Sequence, residues 1–581
     1  MSKKWVKYGG LALLLVSSVA GMAACGSASS ADDSQDNSGE TITIDVYSDT
    51  ANYMGIQSGW FGKLVKDKFN IELNIIAPNV AGNGDTLYQT RTAAGDLGDL
   101  ILTSTGERYD ELLQAGLLYD ATDLYADMEF LPEYDGAVQN LNENQGAIYG
   151  FPTEVSNSAP DTPSEGLDLN VGAYLRWDLY GELGYPEMNT LEDLLPVLQD
   201  MQESNPTTGN GQQVYGFSLF SDWDGDYMSN AVQLAQLYGY DSVGYVLAKT
   251  DGSDYQGILD DDSEYIRALK LYFEANQMGL VDPESTTQNW DTLYSKFQGG
   301  QVLYSWYHWL GQQAFNTVDN TSNGVGFMMA SIADQKNYST GARTNGGNLF
   351  LGIGANAEEP ERIADFIDWL YSPEGISTNA SQTVGGAGIE GLTWEVDDAG
   401  QPQLTDFGVE ALINGDAEVP EEYGGGNYAD GNSALNVRTV MLIDENPDTG
   451  YPYNFNQWDS YLTETLTPLK EDWSSHMDGA TSAVEYLESH DEIAVAPGAT
   501  YTRPEDSSDI STVRNQVSSS IKDYSWRMIF ASDEAEFNSL LDELQSTAIG
   551  LGYEQVLEVD MASAEEQDAA RVEVMSEYAA Q

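Results

Sequence analysis

The stretch TITIDVYSDTANYMGIQSGWFGKLVKDKFNIELNII at residues 41–76 decides the fold class of this 581-residue chain. Residues 41–47 alternate apolar and polar side chains and are rich in β-branched residues, which is typical of a strand. Residues 59–69 can form a helix, and residues 71–76 predict a second strand. Strand, helix and strand in this order predict a βαβ unit and therefore an open α/β sheet.

The alternation of strands and helices continues beyond this unit. Residues 87–94 favour a helix and residues 100–103 a buried strand, and residues 109–116 favour a helix that ends in a glycine. Thr190 and Asp193 form a capping box at the start of another helix. Further helices with one apolar face are predicted at residues 264–278, 361–371 and 536–548. The chain is too long for one core, so we expect at least two lobes.

Acidic residues dominate the composition. Asp and Glu number 94 against 23 Lys and Arg, which gives a formal net charge of −71 at pH 7. This charge repels nucleic acids and anionic membrane surfaces, so nucleic-acid binding is excluded. Apolar residues make up 41% and aromatic residues 11% of the chain, which is enough to build large cores.

Few residues are suited to metal or cofactor chemistry. The chain has one Cys and three His, which excludes a disulfide framework and a Cys-rich zinc site. The acidic stretches 222–226 and 260–262 lack the spacing of a calcium loop, although a structural calcium ion stays an open question. Motifs of a P-loop or a nucleophile elbow are absent, so we expect no cofactor, no catalytic residues and no enzymatic activity.

The first 24 residues predict a secretory signal peptide. Three lysines at positions 3, 4 and 7 precede an uncharged, largely apolar run over residues 9–20. The sequence Met22-Ala23-Ala24-Cys25 resembles a bacterial lipobox, with Met where Leu is usual. This resemblance implies cleavage before Cys25, lipidation of its thiol and anchoring at the extracellular face of the cell membrane. The alternative is an ordinary secretory signal. Residues 25–40 are predicted to be a flexible tether.

Residues 304–309 carry an unusual concentration of rings. Tyr304, Trp306, Tyr307 and Trp309 exceed what one face of a strand can bury, so we expect some of them to be exposed. Exposed indole and phenol rings match the apolar C–H face of a sugar. Covering roughly 100 Å² at about 25 cal/mol per Å² contributes about 2 to 3 kcal/mol per ring. The alternative is that the whole set packs in a core.

Several short motifs occur in a recognisable order along residues 41–562. They are GDLGDL at 95–100, IYGFP at 148–152, LRWDL at 175–179, GLVDPE at 279–284, FQGG at 297–300 and DWLYSPEG at 368–375. In this order, behind a lipobox, they resemble the family 1 extracellular solute-binding proteins of carbohydrate ABC importers, especially the large lipoproteins of Gram-positive bacteria.

The resemblance implies an α/β, two-lobed, periplasmic-binding-protein-like fold with a hinge of crossing segments and a ligand cleft between the lobes. We assign residues 41–152 to lobe 1 and residues 153–335 to lobe 2. Residues 336–382 are assigned as a return to lobe 1, and residues 383–581 are expected to complete lobe 2 and the hinge.

The candidate ligand-binding residues come from two arguments. In relatives of the maltose-binding type an aromatic residue after a short strand stacks on sugar, and the matching residue here is Trp309. The remaining candidates are neighbouring rings, residues that follow predicted strands, and residues of polar loops. They are Trp306, Tyr307, Asn52, Tyr53, Thr103, Ser104, Trp223, Asn345 and Asn348.

The resulting hypothesis is a lipid-anchored, monomeric binding protein. It captures a sugar, expected to be a neutral oligosaccharide, by closure of the lobes and delivers it to the permease subunits of an ABC importer. A binding protein for peptides or another non-sugar nutrient is one alternative. A surface glycoside hydrolase is the other.

Overall fold

The computed structural model describes residues 40–81, 84–380, 385–415, 417–499, 501 and 503–580. The predicted signal peptide, Cys25 and residues 25–39 of the predicted tether lie outside the described residues. Among the described helices, none combines the length and the apolar character needed to cross a membrane.

The strands are mostly short. They are β1 Ile42–Ser48, β2 Gly55–Ile56, β3 Ile71–Ile76, β4 Leu100–Ser104, β5 Phe151–Pro152, β6 Val171–Arg176, β7 Tyr240–Val243, β8 Val246–Lys249, β9 Tyr255–Gly257, β10 Tyr304–Tyr307, β11 Phe327–Met329, β12 Asn337–Arg343, β13 Leu349–Ile353, β14 Trp394–Val396, β15 Pro402–Leu404, β16 Glu445–Asn446, β17 Tyr451–Pro452 and β18 Ile493–Gly498.

The helices become longest at the carboxyl end of the chain. They are α1 Gly59–Phe69, α2 Pro78–Ala81, α3 Gly84–Ala94, α4 Glu107–Gln114, α5 Thr122–Tyr125, α6 Asp135–Leu141, α7 Trp177–Glu182, α8 Leu194–Ser204, α9 Ser229–Ala235, α10 Glu264–Gln277, α11 Trp290–Gln298, α12 His308–Phe315, α13 Val318–Ser322, α14 Pro360–Trp369, α15 Pro373–Asn379, α16 Asp406–Gly408, α17 Asp459–Glu464, α18 Pro468–His476, α19 Ala483–Ser489, α20 Ser508–Ile529, α21 Glu534–Leu551 and α22 Tyr553–Tyr578.

The first lobe is built on a six-stranded sheet with the order β2-β3-β1-β4-β13-β5. Strand β1 is parallel to both β3 and β4, whereas β13 is antiparallel to β4 and β5. The βαβ unit predicted for residues 41–76 is therefore confirmed. Ile44 and Val46 on β1 belong to one core and Tyr47 to another, because successive side chains of a strand point to opposite faces.

The second lobe contains a three-stranded sheet, β10-β6-β11, which is surrounded by helices. The predicted capping box of Thr190 and Asp193 is present. Helix α10 begins at the cap residue Ser263 and packs against α9 and α20. The rings of Phe273 on α10 and Phe537 on α21 lie 5.0 Å apart, so the last helices of the chain share this lobe's core.

The described part of the chain crosses between the two cores at three places. Val155 belongs to the first core and Leu169 to the second; Ile332 belongs to the second and Leu351 to the first. The third crossing runs from Trp458 in the first core to Leu469 in the second. The protein is thus an α/β structure of two lobes joined by crossing segments.

The assignment of residues 383–581 to lobe 2 and the hinge is wrong for residues 387–458, which pack into the first core. Tyr428 stacks on Trp60 of α1 with ring centroids 5.0 Å apart, and the Trp60 indole donates to the Tyr428 carbonyl at 3.0 Å. A Cβ on Gly59 would lie 2.3 Å from the Gly431 Cα, so glycine is required for this close approach. Similarly, β12 pairs with β18, although residues 336–343 were assigned to the return segment of lobe 1.

A buried ion-pair network fixes the last helix to the second lobe. Asp560 of α22 is 0% exposed and accepts hydrogen bonds from Arg514 Nη1 and Nη2 at 2.8 and 2.7 Å. It also accepts from the Tyr245 backbone N–H at 2.7 Å, in the turn between β7 and β8. The Arg514 guanidinium bonds Asp506 as well, which lowers the pKa of that carboxyl. The network thereby links α20, α22 and a β-turn.

We expect Asp560→Ala to lower the free energy of unfolding by about 3 to 5 kcal/mol, because it leaves the buried Arg514 only partly paired. Urea denaturation followed by circular dichroism measures this change. The control is Asp523→Ala, which removes an exposed ion pair between Asp523 and Arg527, both on α20. This substitution should lower the free energy of unfolding by less than about 1 kcal/mol. Equal effects of the two variants would contradict the structural role of Asp560.

Candidate ligand-binding site

Four rings from three separate segments meet in the second lobe. We call Trp223, Trp290, Tyr307 and Trp309 the aromatic platform. Trp223 stacks on Trp290 with centroids 4.8 Å apart and an interplanar angle of 19°. Tyr307 stacks on Trp309 at 4.4 Å and 24°. The two stacks touch each other, because Trp309 lies 5.8 Å from Trp223 and 5.5 Å from Trp290.

Local structure explains how these rings converge. Tyr307 ends β10, and the chain turns directly into α12, which carries Trp309 in its first turn. Trp290 begins α11, where the Asn289 side chain caps the helix. The Asp222 carboxylate accepts from the Trp290 backbone N–H at 2.8 Å and so ties the loop of Trp223 to this helix.

The polar edges of Tyr307 and Trp309 are already engaged. The Trp309 indole N–H donates to the Asn170 side-chain oxygen at 2.9 Å, and Gln233 donates to the Tyr307 hydroxyl. The ring of Trp223 is 44% exposed, and those of Trp290 and Trp309 are half-buried. The platform therefore offers preformed apolar ring surface to solvent.

Trp306 does not belong to this surface. It is 0% exposed and packs in the second core together with Tyr304, so the prediction that Trp306 binds ligand is wrong. The alternation of β10 points residues 304 and 306 to the same, inward face. Tyr307, also predicted to bind ligand, is buried as well at 7% exposure. Of the four predicted rings, Trp309 alone is half-buried, so the predicted exposure holds for part of one ring. Sequence reasoning missed Trp290, whose position at the start of an amphipathic helix is typical of a core residue.

A polar pocket lies in the first lobe, where β1 ends. Its cavity of about 260 Å³ contains two of the predicted residues, Asn52 and Tyr53, which are both exposed. The residues that complete it come largely from the late segment of the chain: Gln57, Ser58, Ala429, Asp430, Asn432, Ser433, Ala434 and Asn436. The described lining is rich in amide and hydroxyl groups and has one charged side chain, Asp430.

Gln57 holds the late segment against the start of α1. Its side-chain oxygen accepts from the Ala434 N–H at 2.7 Å, and its Nε2 donates to the Asn432 carbonyl at 3.0 Å. The Asn436 side chain donates to the Thr50 carbonyl at 2.8 Å, with its backbone in the left-handed region at φ 51°. These bonds set the shape of the polar pocket.

The other predicted residues lie elsewhere. Thr103 is fully buried and donates to Asp49, which also pairs with Arg108 at 2.9 Å, so its hydroxyl faces no cavity. Ser104 is half-buried at the end of β4. The Asn345 side chain bonds Glu577 at 3.3 Å. Asn348 is exposed beside a separate cavity of about 200 Å³.

Titratable groups near the platform are shifted towards their uncharged forms. Burial raises the pKa of Asp168 and lowers the pKa values of His308 and Lys470, although the attraction between Asp168 and each of the two bases opposes these shifts. His308 is next to both Tyr307 and Trp309 in sequence. Burial therefore disfavours strong charge beside the rings.

The acidic stretch at residues 222–226 serves hydrogen bonding. Asp224 accepts from the Trp526 indole N–H at 2.7 Å and Asp226 from the Ser518 hydroxyl at 2.8 Å. Within the described ranges, no group of three or more His, Cys, Asp or Glu side chains could hold a metal ion.

The sequence and the fold of this chain were compared with those of known proteins. The profile of the family described as bacterial extracellular solute-binding protein matches residues 57–376. The fructooligosaccharide ABC transporter substrate-binding protein FusA of Streptococcus pneumoniae is 25% identical over 390 residues, which cover 62% of this chain and 68% of FusA.

Solved structures share the fold. The structure of S. pneumoniae FusA in complex with kestose aligns with a TM-score of 0.55 and 15% identity, over 91% of this chain and 100% of that one. A solute-binding protein from Bifidobacterium longum infantis, described as binding HMO and associated with an ABC transporter, aligns with a TM-score of 0.53 and 15% identity, over 90% and 98% of the two chains. Both neighbours are described as binding proteins associated with ABC transporters. Because the family profile matches more than half of the sequence, this chain belongs to the bacterial extracellular solute-binding proteins.

Proposed function

We propose that the protein captures an oligosaccharide between its two lobes and delivers it to the permease of an ABC importer. The observation that carries this proposal is the aromatic platform. Its open ring faces lie in the second lobe, whereas the polar pocket lies in the first lobe. In this reading Trp223, Trp290 and Trp309 contact the sugar, and Asn52 and Tyr53 contact it from the first lobe.

The chemistry of the two surfaces is complementary to that of a sugar. One face of a sugar ring presents C–H groups, which pack on indole and phenol rings, and covering a ring face contributes about 2 to 3 kcal/mol. The indole N–H of Trp309 is already bonded to Asn170, so this ring supplies apolar contact rather than a donor. Sugar hydroxyls need donors and acceptors, which Asn52 and Asn432 would supply.

An uncharged sugar fits the electrostatics best. The chain has a formal net charge of −71, which repels polyanions. The described lining of the polar pocket carries no basic side chain that could pair with a uronic acid. Burial disfavours charge on Asp168, His308 and Lys470 beside the platform.

Capture follows from closure of the lobes about the crossing segments. A ligand that contacts both lobes binds the closed arrangement more tightly than the open one, and this difference in affinity sets how far it shifts the population. The permease then distinguishes loaded from empty protein by the arrangement of the lobes. Asn345 and Asn348 lie near the crossing segments and are secondary candidates.

The relatives suggest which sugars to test first. FusA is described as a fructooligosaccharide-binding protein, and the neighbour from Bifidobacterium is described as binding HMO. We infer no hydrolytic activity, because the family to which the chain belongs is one of solute-binding proteins.

We further propose that Cys25 is lipidated and anchors a monomeric protein at the extracellular face of the cell membrane. The basis is the sequence Met22-Ala23-Ala24-Cys25 behind a basic and apolar leader. After the leader is removed, the protein is strongly acidic. It contacts the membrane through the lipid on Cys25.

A thermal-shift screen tests the proposed function. The panel contains kestose, fructo-nystose, human milk oligosaccharides, oligogalacturonates and peptides. We expect neutral oligosaccharides to raise the melting temperature, because a ligand that binds only the native state stabilises it. Stabilisation by peptides alone would contradict the sugar assignment, and release of shorter sugars during incubation would contradict the assignment as a binding protein.

Trp223→Ala tests the platform directly. We expect the substitution to weaken binding of the best sugar about 30- to 150-fold, because about 2 to 3 kcal/mol of ring contact is lost. Isothermal titration calorimetry measures the change. The matched control is Tyr486→Ala, which removes a ring of the same lobe that stacks on His490 away from the platform. An unchanged affinity of Trp223→Ala would exclude the platform from the site.

Cys25→Ser tests the anchor. We expect the protein to move from the membrane fraction to the culture medium and to lose incorporation of radiolabelled fatty acid. Fractionation and immunoblotting measure the distribution, with Ser27→Ala as the control that keeps the thiol. Retention of the Cys25→Ser protein in the membrane fraction would rule out the thioether anchor.

A further inference from the structure

A second concave surface lies beside the aromatic platform in the second lobe. This groove is an open surface depression of about 610 Å³. Its residues come from two loops and from the end of α20: Ser221, Asp224, Pro283, Thr286, Lys522, Asp523, Trp526, Arg527 and Phe530.

The groove and the platform are built from the same two loops. In sequence, Trp223 of the platform lies between Ser221 and Asp224 of the groove, so the two surfaces share this loop. On the other side, Thr286 precedes Trp290 by four residues. The hydrogen bond between Asp222 and the Trp290 N–H joins the two loops at this boundary.

The groove has the composition of a carbohydrate subsite. The half-buried rings of Trp526 and Phe530 supply apolar area. The Trp526 indole is held by its bond to Asp224 at 2.7 Å, so its orientation is set before any ligand arrives. Ser221, Thr286 and Lys522 supply groups that can bond hydroxyls. Cavities of a few hundred Å³ with aromatic walls and a few polar groups are typical ligand sites.

We propose that this groove is a second sugar-binding subsite, continuous with the aromatic platform. The inference rests on the proposed function and extends it, because the ligand is then an oligosaccharide long or branched enough to cover both surfaces. The occupant of the groove is the part of the same sugar chain that extends beyond Trp223.

Calorimetry with two length series tests the subsite. The series are fructo-oligosaccharides from kestose upward and human milk oligosaccharides from lactose upward. The variants are Trp526→Ala and Phe530→Ala; the second leaves the bond to Asp224 in place. The control is Tyr486→Ala, which removes a ring of the same lobe that stacks on His490 and lies outside the groove lining.

We expect both groove variants to weaken binding of the longest members about tenfold or more, and to leave the shortest member that binds within about twofold. The control should bind all members as the unmodified protein does. Equal weakening of short and long sugars by both variants, or no effect on either, would overturn the subsite while leaving the platform in place. If the unmodified protein binds no member of either series, both the subsite and the proposed function fail.

Discussion

The proposed ligand site depends on the contact between two stacked ring pairs, Trp223 on Trp290 and Tyr307 on Trp309. Each stack buries one face of its rings against the other ring, and the indole N–H of Trp309 is bonded to Asn170. The rings therefore cannot bury their remaining surface by rotating inward without breaking these contacts. What stays open is a rigid apolar surface suited to a ligand with an apolar face.

The rest of the fold holds this surface in position. The turn from β10 into α12 places Tyr307 and Trp309 side by side. The bond that Asp222 accepts from the Trp290 N–H ties the loop of Trp223 to α11. The buried bonds of Asp560 lock α22 onto the same lobe through Arg514. In the first lobe, Gln57 shapes the polar pocket. Two internally braced lobes can close as rigid bodies about their crossing segments.

Local patterns predicted the elements well, because they depend on neighbours in sequence. The helix at residues 59–69, the strand at 71–76 and the capping box at Thr190 are all found where the sequence indicates them. Partners distant in sequence were harder to predict. An apolar stripe does not reveal which core it joins, so residues 387–458 were assigned to the wrong lobe. For the same reason the sequence does not reveal Trp290, since its role depends on a loop near residue 223. The prediction of Trp306 in the site is wrong because strand alternation buries this residue.

A crystal structure of the protein with its tightest-binding oligosaccharide tests most directly whether the aromatic platform binds sugar. We expect a sugar ring in van der Waals contact with Trp223 or Trp309, sugar hydroxyls bonded to the polar pocket, and lobes closer together than in the ligand-free protein. A sugar bound elsewhere, with Trp223, Trp290 and Trp309 still open to solvent, would contradict the proposed site.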